Sequence, residues 1–300
     1  MSTPSTLTKQ LQQGDKKALA RCITIVENEL EGYEEILTSL KFNSEIPVVG
    51  VTGPPGAGKS TLINAVIKKL TDTGKSVGII AIDPTSPFNY GSLLGDRLRM
   101  AEHFNNDRVF IRSLATRGSL GGLSAKTIEI VDVMRAFAFD YIFVETVGVG
   151  QSEVEVVGLA DTTVLVLVPE SGDDVQAIKS GVMEIADIFV VNKSDRDGAN
   201  TFVKNIIQLV HSKPASDWNI PVIKGIATKG EGVEELIANI DKHQTVETNS
   251  KRSYLLAEKA YRLIQNQKMK GVSKQDLQKK IEVELKKKDF NLYRFIRNMF

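Results

Sequence analysis

Apolar residues recur along the chain with two different periods. In residues 5–41 they recur at helical spacing, as in KKALARCITIVENELEGYEEIL, and this spacing predicts two short helices. From Ile46 onward the pattern changes to short apolar runs rich in β-branched residues, which are separated by amphipathic stretches. The runs are IPVVGVT, SVGIIAI, RVFIRSL, YIFVETV, TTVLVLV, DIFVVNK and IPVIKGI. Seven strands that alternate with helices predict an α/β fold with a doubly wound, mostly parallel sheet.

The strand pattern stops after Asp241, where the sequence becomes helical again. The stretches SYLLAEKAYRLIQNQ and SKQDLQKKIEVELKKK have apolar residues at helical spacing, and Ser273 with Asp276 predicts a capping box. We therefore predict three parts. They are an N-terminal helical extension in residues 1–44, an α/β core in residues 45–245 and a C-terminal helical arm in residues 246–300.

The charge is balanced over the whole chain but not along it. The sequence has 38 Lys+Arg and 37 Asp+Glu, yet residues 251–300 contain 14 basic and 5 acidic residues. The core is therefore acidic and the arm basic. The arm has no aromatic platform and no recognised nucleic-acid motif, so we expect its lysines to form a solvated face and expect no nucleic-acid partner.

Cysteine usage and hydropathy bear on the location of the protein. The sequence has a single cysteine, Cys22, which excludes an internal disulfide and is typical of a reducing compartment. The N-terminal stretch MSTPSTLTKQLQQGDKK has no apolar signal core, and no later run has the length and apolarity of a membrane span. We predict a cytoplasmic protein with no membrane partner.

The stretch GPPGAGKS has the spacing of a phosphate-binding loop, G-x-x-x-x-G-K-[ST]. It follows the predicted strand VVGVT and opens the predicted helix STLINAVIKKL, which is the context that the motif requires. We expect the glycines to let backbone N–H groups surround phosphate, Lys59 to neutralise the outer phosphates and Ser60 to offer its hydroxyl to Mg²⁺. The loop residues predicted to bind nucleotide are Gly53, Gly56, Ala57, Gly58, Lys59, Ser60 and Thr61.

A second motif, NKSD, predicts which base the nucleotide carries. Asn192, Lys193 and Asp195 follow the predicted strand ADIFVVN and resemble the guanine-specificity motif N-K-x-D of GTPases. The Asp195 carboxylate can accept hydrogen bonds from guanine N1–H and from the 2-amino group, whereas adenine lacks both donors and would leave the charge unpaired. The stretch GIATKGEGVEEL stands where GTPases place a backbone N–H against guanine O6, and we assign that N–H to Ala227. The predicted ligands are GTP and GDP.

Acidic residues end two of the predicted strands. Glu145 ends the strand in YIFVETVGVGQSEVE, and Gly148 follows three residues later. In GTPases an acidic residue that binds Mg²⁺ through water ends this strand, and a glycine three residues later donates its N–H to the γ-phosphate. Asp83 ends the strand in GIIAIDP. We therefore expect Glu145 and Asp83 to face one metal ion. The alternative that Asp83 and Pro84 only turn the chain stays open.

Six motifs together resemble one family. GPPGAGKST, AIDPTSP, GDRLRM, TRGSLGGLS, ETVGVGQSE and NKSD occur in this order, and the chain resembles the methylmalonyl-CoA mutase-associated GTPases of the MeaB/ArgK family over roughly residues 10–300. The resemblance implies a GTP-dependent chaperone that gates cofactor loading and protects an adenosylcobalamin-dependent acyl-CoA mutase. It also implies that the C-terminal arm forms a homodimer.

The resemblance adds residues to the site. It implies that Asp96 of GDRLRM joins Ser60, Asp83 and Glu145 as an acidic or hydroxyl metal-site position. It also implies that PESGDDVQAIKSG is an additional switch whose polar residues are Asp173, Gln176 and Lys179. Lys179 has the alternative of a solvated helix residue. Gln151 stands near the place of the water-positioning glutamine of other GTPases, although its spacing from the strand end is a weak match.

Three other functions remain as alternatives. A metal-insertion GTPase shares the fold but normally holds its metal with His and Cys clusters, and here a single cysteine and three separated histidines are present. A small-molecule kinase needs an acceptor site and has no need of a guanine motif, so phosphate release from [γ-³²P]GTP, as opposed to transfer, separates it from a GTPase. A nucleotide-gated scaffold would hydrolyse GTP too slowly to matter even with its partner present.

Overall fold

The chain is described by a computed structural model, which covers residues 3–43, 45–83, 100–115, 125–146, 158–172, 186–212, 217–246, 249–269, 271–286 and 289–299. Within these ranges lies a seven-stranded sheet. The strands are β1 Val48–Thr52, β2 Val77–Asp83, β3 Val109–Ala115, β4 Tyr141–Glu145, β5 Thr162–Leu167, β6 Ile188–Val191 and β7 Val222–Lys224.

The sheet has the strand order β3-β2-β4-β1-β5-β6-β7, and all its recorded strand pairs are parallel. The predicted doubly wound α/β fold is therefore confirmed, and the described strands make the sheet parallel throughout where the sequence predicted it mostly parallel. All residues of β1, β5 and β6 are buried. Continuous apolar strands are what a parallel sheet needs when helices cover both of its faces.

Helices flank the sheet and continue beyond it. They are α1 Pro4–Gln12, α2 Lys16–Glu27, α3 Tyr33–Ser39, α4 Lys59–Asp72, α5 Ala125–Arg135, α6 Ala199–His211, α7 Val233–Val246, α8 Asn249–Met269, α9 Lys274–Glu284 and α10 Leu292–Arg297. Residues 5–41 thus form three helices where the sequence predicted two. The difference arises at residues 28–32, where the chain turns through Glu29 with φ +48° and Gly32 with φ +86°.

The N-terminal helices pack on one face of the sheet. Leu11, Leu19 and Cys22 are fully buried in one cluster with α5 and with Ile80 and Val144 of the sheet. Burial raises the pKa of the Cys22 thiol to about 11, so at neutral pH this side chain is a protonated, apolar packing group. The opposite face is covered by α4 and α7. Residues 53–58 connect the carboxyl end of β1 to the start of α4.

The chain divides into two compact units, Met1–Lys259 and Ala260–Phe300. The division falls inside α8, and in the larger unit the ammonium group of Lys259 pairs with the carboxylate of Asp132 on α5. The functional boundaries 1–44, 45–245 and 246–300 stay a prediction, because compactness does not measure function. Among the described residues, each helix is too short or too polar to cross a bilayer.

The smaller unit has little interior of its own. The hydroxyl of Ser273 accepts a hydrogen bond from Asp276 N at 3.3 Å and caps α9, and Asn291 caps α10 in the same way. Neither α9 nor α10 contains a buried residue. Large apolar side chains of this unit are instead exposed, and they are Tyr261, Ile264, Met269, Val283, Leu285, Leu292, Tyr293 and Ile296.

Candidate functional site

The carboxyl ends of five strands, β1, β2, β4, β6 and β7, bring predicted site residues to one edge of the sheet. β1 lies between β4 and β5 in the sheet. The strands β2, β3 and β4, which follow β1 in the sequence, lie on one side of it within the sheet, and the later strands β5, β6 and β7 lie on the other side, so the strand order reverses at β1. Ligands bind at such a point in open α/β sheets, because the loops on either side leave a crevice. Gly53 follows β1, Glu145 ends β4 and Asn192 follows β6, and this arrangement assembles the candidate site.

The phosphate loop is shaped by close backbone packing. Gly53 has φ +140°, and a Cβ atom there would lie 2.1 Å from the Val166 carbonyl oxygen. Gly58 has φ +86°, and a Cβ atom there would lie 2.4 Å from Asn192 Nδ2. Only glycine fits at these two positions. The loop is therefore held against β5 at its start and against the NKSD turn at its end.

Lys59 begins α4 and its ammonium group lies inside the loop. Its Nζ donates to the carbonyl oxygens of Gly53 at 2.8 Å and of Pro54 at 3.1 Å, and the residue is buried. A buried ammonium group needs acceptors for its three N–H donors, and the loop carbonyls provide two of them. This position is one from which the lysine can reach phosphate oxygens bound by the same loop.

Ser60 and Glu145 come together although 85 residues separate them in the chain. The Ser60 hydroxyl donates to Glu145 Oε1 at 2.6 Å. A hydroxyl and a carboxylate in contact are hard oxygen donors, the kind that Mg²⁺ takes, so this pair fits the predicted metal site.

The other predicted acids are described only in part. In the sheet Ala81 is the register partner of Glu145, and Asp83 lies two residues further along β2, at the same edge. Nothing is described of the Asp83 side chain. The remaining predicted residues lie outside the described ranges, and they are Asp96, Gly148, Gln151, Asp173, Gln176 and Lys179.

Asn192 connects the two halves of the site. Its Nδ2 donates to the Ala57 carbonyl oxygen at 2.8 Å, and its Oδ1 accepts from the Ala227 N–H at 3.0 Å. Lys193, in the left-handed region at φ +55°, reaches back and donates from Nζ to the Gly56 carbonyl oxygen at 2.8 Å. The NKSD turn therefore bonds the phosphate loop on one side and the Ala227 turn on the other.

The predicted base-contacting groups lie around this turn. Asp195 is exposed, three residues beyond Asn192, and Ser194 N donates to the Gly225 carbonyl oxygen at 3.0 Å, which fixes the turn against β7. A cleft of about 770 Å³ opens between α4 and residues 227–235, and Thr61 and Ala227 are among its lining residues. The Ala227 N–H is engaged by Asn192, so its contact with guanine O6 would have to share or exchange that bond.

Two features of this edge were missed by sequence reasoning. Arg196, beside Asp195, forms an ion pair with Glu170 in the turn after β5. Thr52 and Thr146 form a buried hydrogen bond between the ends of β1 and β4. A threonine at the end of VVGVT and another directly after YIFVE were the available signal for this second feature, but it is a weak one without knowledge of the strand pairing.

Comparisons with known proteins agree with this geometry. The family model described as methylmalonyl Co-A mutase-associated GTPase MeaB matches residues 19–283. A Pyrococcus abyssi protein named as a GTPase is 46% identical over 289 residues, which cover 95% of this chain and 88% of that protein. GTPase ArgK of Escherichia coli strain K12 is 36% identical over 256 residues, which cover 81% of this chain and 77% of that protein.

Two further comparisons extend the picture. The mitochondrial methylmalonic aciduria type A homolog of Mus musculus is 37% identical over 246 residues, which cover 75% of this chain and 59% of that protein. A crystal structure titled as a LAO/AO transport system kinase superposes with a TM-score of 0.71 at 26% identity and covers 90% of this chain and 84% of that chain. The chain therefore belongs to the methylmalonyl-CoA mutase-associated GTPase family MeaB, and it is a P-loop GTPase.

Proposed function

We propose that this GTPase is a chaperone of an adenosylcobalamin-dependent acyl-CoA mutase. It gates loading of the cobalamin cofactor into the mutase and protects the loaded enzyme. The observation that carries the proposal is the family match over residues 19–283, a range that contains the whole nucleotide site. Methylmalonyl-CoA mutase is the first candidate partner, because the family description names it and a relative is named for methylmalonic aciduria. Single-turnover GTP hydrolysis with and without a purified mutase is the test.

The nucleotide is proposed to lie along the carboxyl edge of the sheet. Its phosphates occupy the loop from Gly53 to Ser60, where Lys59 exchanges its carbonyl partners for phosphate oxygens. Its guanine lies against Lys193 and Asp195, where the carboxylate accepts from N1–H and the 2-amino group. A site built on such polar pairing rejects a base without the partner groups far more strongly than an apolar pocket does.

The same proposal includes Mg²⁺. When bound, this ion neutralises phosphate charge, and Ser60 with Glu145 would hold it. Asp83 is proposed as a third oxygen donor because it lies at the same edge, two residues beyond the register partner of Glu145. Asp96 is proposed from the family resemblance alone.

Alanine at Glu145 or Asp83 is expected to weaken Mg²⁺-dependent hydrolysis by roughly 10- to 100-fold, the range found when metal-supporting groups are removed. GDP affinity, which depends mainly on the loop and the base site, should change much less. Hydrolysis measured against Mg²⁺ concentration, together with GDP titration, separates the two effects.

Glu145→Asp is the matched control for this experiment. It keeps the carboxylate but draws it back by one methylene, so the apparent Mg²⁺ affinity should fall between those of the parent and of Glu145→Ala. If alanine at Glu145 lowers GDP affinity and hydrolysis equally, the residue maintains the fold and the metal assignment is wrong.

The C-terminal arm is proposed to form a homodimer. Its exposed apolar side chains include Tyr261 and Ile264 on α8, Val283 on α9 and Tyr293 on α10, and a lone helical extension would leave them in water. Deletion of residues 250–300 is therefore expected to yield a monomer that still binds GTP, measured by light scattering and nucleotide titration.

A second truncation makes this prediction sharper. Deletion of residues 260–300 keeps the ion pair between Lys259 and Asp132 and removes only the smaller compact unit, so it should give the same monomer with a better-preserved larger unit. A full-length chain that is already monomeric, or truncated chains that keep the parental mass, would contradict the dimer proposal.

The remaining parts of the proposal concern context. Cys22 is the sole cysteine of the sequence, a usage typical of reducing compartments, and we place the protein in the cytoplasm. No nucleic acid or membrane is proposed as a partner. We retain residues 1–44, 45–245 and 246–300 as the helical extension, the GTPase core and the dimerisation arm.

A further inference from the structure

A buried pair of hydroxyl groups joins the two strand ends that carry the phosphate loop and the carboxylate Glu145. Thr146 Oγ1 donates to Thr52 Oγ1 at 3.0 Å, and both residues are at most 1% exposed. β1 and β4 are parallel neighbours in which Val51 is the register partner of Glu145, so the two threonines form the next pair along. The Thr146 N–H extends the ladder by donating to the Val51 carbonyl oxygen at 3.1 Å.

The rest of these two strands is apolar apart from the glutamate that ends β4 and a tyrosine at its start. β1 reads VVGVT and β4 reads YIFVE, followed by Thr146. Valine has nearly the shape of threonine and would bury more apolar surface at either position. When both partners of a buried hydrogen bond are replaced by apolar groups of the same shape, stability changes little or improves. Stability alone therefore does not account for two threonines here.

The position of the pair matters for the site. Thr52 precedes Gly53, whose carbonyl oxygen accepts from Lys59 Nζ, and Thr146 follows Glu145, whose carboxylate accepts from Ser60. On its other side, the start of the loop cannot move towards β5, because Gly53 already packs on the Val166 carbonyl oxygen. The hydroxyl pair adds a side-chain link to the Thr146 N–H bond, and the two together restrain displacement of the end of β4 relative to the end of β1.

We propose that Thr52 and Thr146 are positioning residues for GTP hydrolysis, which hold the Glu145 carboxylate at a fixed distance from Lys59 and Ser60. The inference depends on the proposed metal-site role of Glu145 and does not depend on the partner mutase. A displacement of about 1 Å at a reacting centre is enough to cost up to roughly a hundredfold in rate. Loss of one weak hydrogen bond at the edge of the site should cost less.

The experiment compares Thr52→Val, Thr146→Val, the double valine variant and Thr146→Ser in the full-length chain. Each single valine should lower kcat roughly tenfold and raise the Mg²⁺ concentration needed for half-maximal activity, because the remaining hydroxyl loses its partner and the strand end shifts. GDP affinity should stay within about twofold of the parent. The double variant should lose no more activity than the worse single variant, since both changes remove the same interaction.

Thermal unfolding separates positioning from packing. The double valine variant should melt at or above the parental temperature while its kcat stays low, and Thr146→Ser should restore kcat because it retains the hydroxyl. Thr163→Val is the matched control, a buried threonine of β5 paired in register with Gly50, away from the carboxyl edge, and it should leave kcat unchanged.

Three results would overturn the proposal: parental kcat and Mg²⁺ dependence in the double variant, loss of kcat in step with loss of melting temperature, or failure of serine to restore activity. Glu145→Ala measured in parallel identifies a different failure. If that variant keeps the parental Mg²⁺ dependence, the metal-site role of Glu145 is wrong whatever the threonines do.

Discussion

A purified adenosylcobalamin-dependent acyl-CoA mutase is expected to accelerate GTP hydrolysis by this chain by roughly 10³- to 10⁵-fold. The residues assigned to the site are proposed to bind phosphate, metal and base, and none of them is assigned to orient the attacking water. GTPases whose catalytic set is incomplete depend on a group supplied or repositioned by a partner, and such completion is worth rates of this size. Slow hydrolysis alone and fast hydrolysis with mutase is therefore the behaviour we predict.

The measurement is single-turnover hydrolysis with excess enzyme, with and without mutase, repeated with Lys179→Ala. Lys179 is proposed as part of the switch that the partner repositions, so its loss should reduce the acceleration and leave the basal rate unchanged. Lys204→Ala, an exposed lysine on α6, is the matched control. An unchanged rate with every such mutase tested would rule out the chaperone proposal, whereas full acceleration of Lys179→Ala would remove only that lysine from it.

Coupling between mutase and nucleotide should also be visible in binding affinities. If the mutase favours one nucleotide state, the GTP-bound and GDP-bound forms must differ in mutase affinity. The mutase must then change the ratio of GTP to GDP affinity by the same factor. Agreement between these two factors is an internal check on the kinetic result.

Asp195→Asn is expected to move the preference of the site from GTP to XTP. The amide that replaces the carboxylate donates to the 2-carbonyl of xanthine, whereas it cannot accept from both guanine donors. Charge-assisted hydrogen bonds contribute about 1.5 to 3 kcal/mol, which corresponds to a change in relative affinity on the order of tenfold to a hundredfold. Asp195 is exposed at the end of the NKSD turn, so the substitution leaves the buried bonds of Asn192 in place.

Competition between GTP and XTP for the Mg²⁺-loaded protein measures this change. Asp197→Asn is the matched control, because it makes the same chemical change at another exposed aspartate two residues away. A parental preference for GTP in Asp195→Asn would show that a different group reads the base. A shift in both variants would point to the general loss of negative charge.

Much of the fold was predictable because its signals are local. Valine-rich runs such as VVGVT and TTVLVL are strands in the structure, and the glycine spacing of the phosphate loop specified both its shape and its place before α4. Strand direction followed from the alternation with helices. The turn at residues 28–32 was missed because the helical spacing of apolar residues continues across it, although the helical backbone is interrupted there.

The unpredicted part of the site consists of contacts between distant segments. Asn192 bonds a carbonyl oxygen 135 residues away, and Thr146 bonds a hydroxyl 94 residues away. No periodicity or motif spacing encodes such a contact, because it exists only after the strands have taken their order in the sheet. The motif NKSD identified Asn192 as a site residue, but only the structure reveals that it acts on the backbone of two other loops.

This arrangement of Asn192 has a thermodynamic consequence for the bound nucleotide. A single amide side chain holds the backbone of Ala57 and of Ala227, so neither loop loosens without cost to the other. The free energies of binding a nucleoside and of binding a free phosphate group are then not independent, because whichever ligand arrives first orders the loop that receives the second. Affinity for the intact nucleotide should therefore exceed what its fragments suggest. Nucleotide release should require the phosphate loop, the NKSD turn and the Ala227 turn to open together, and these segments should not open one at a time.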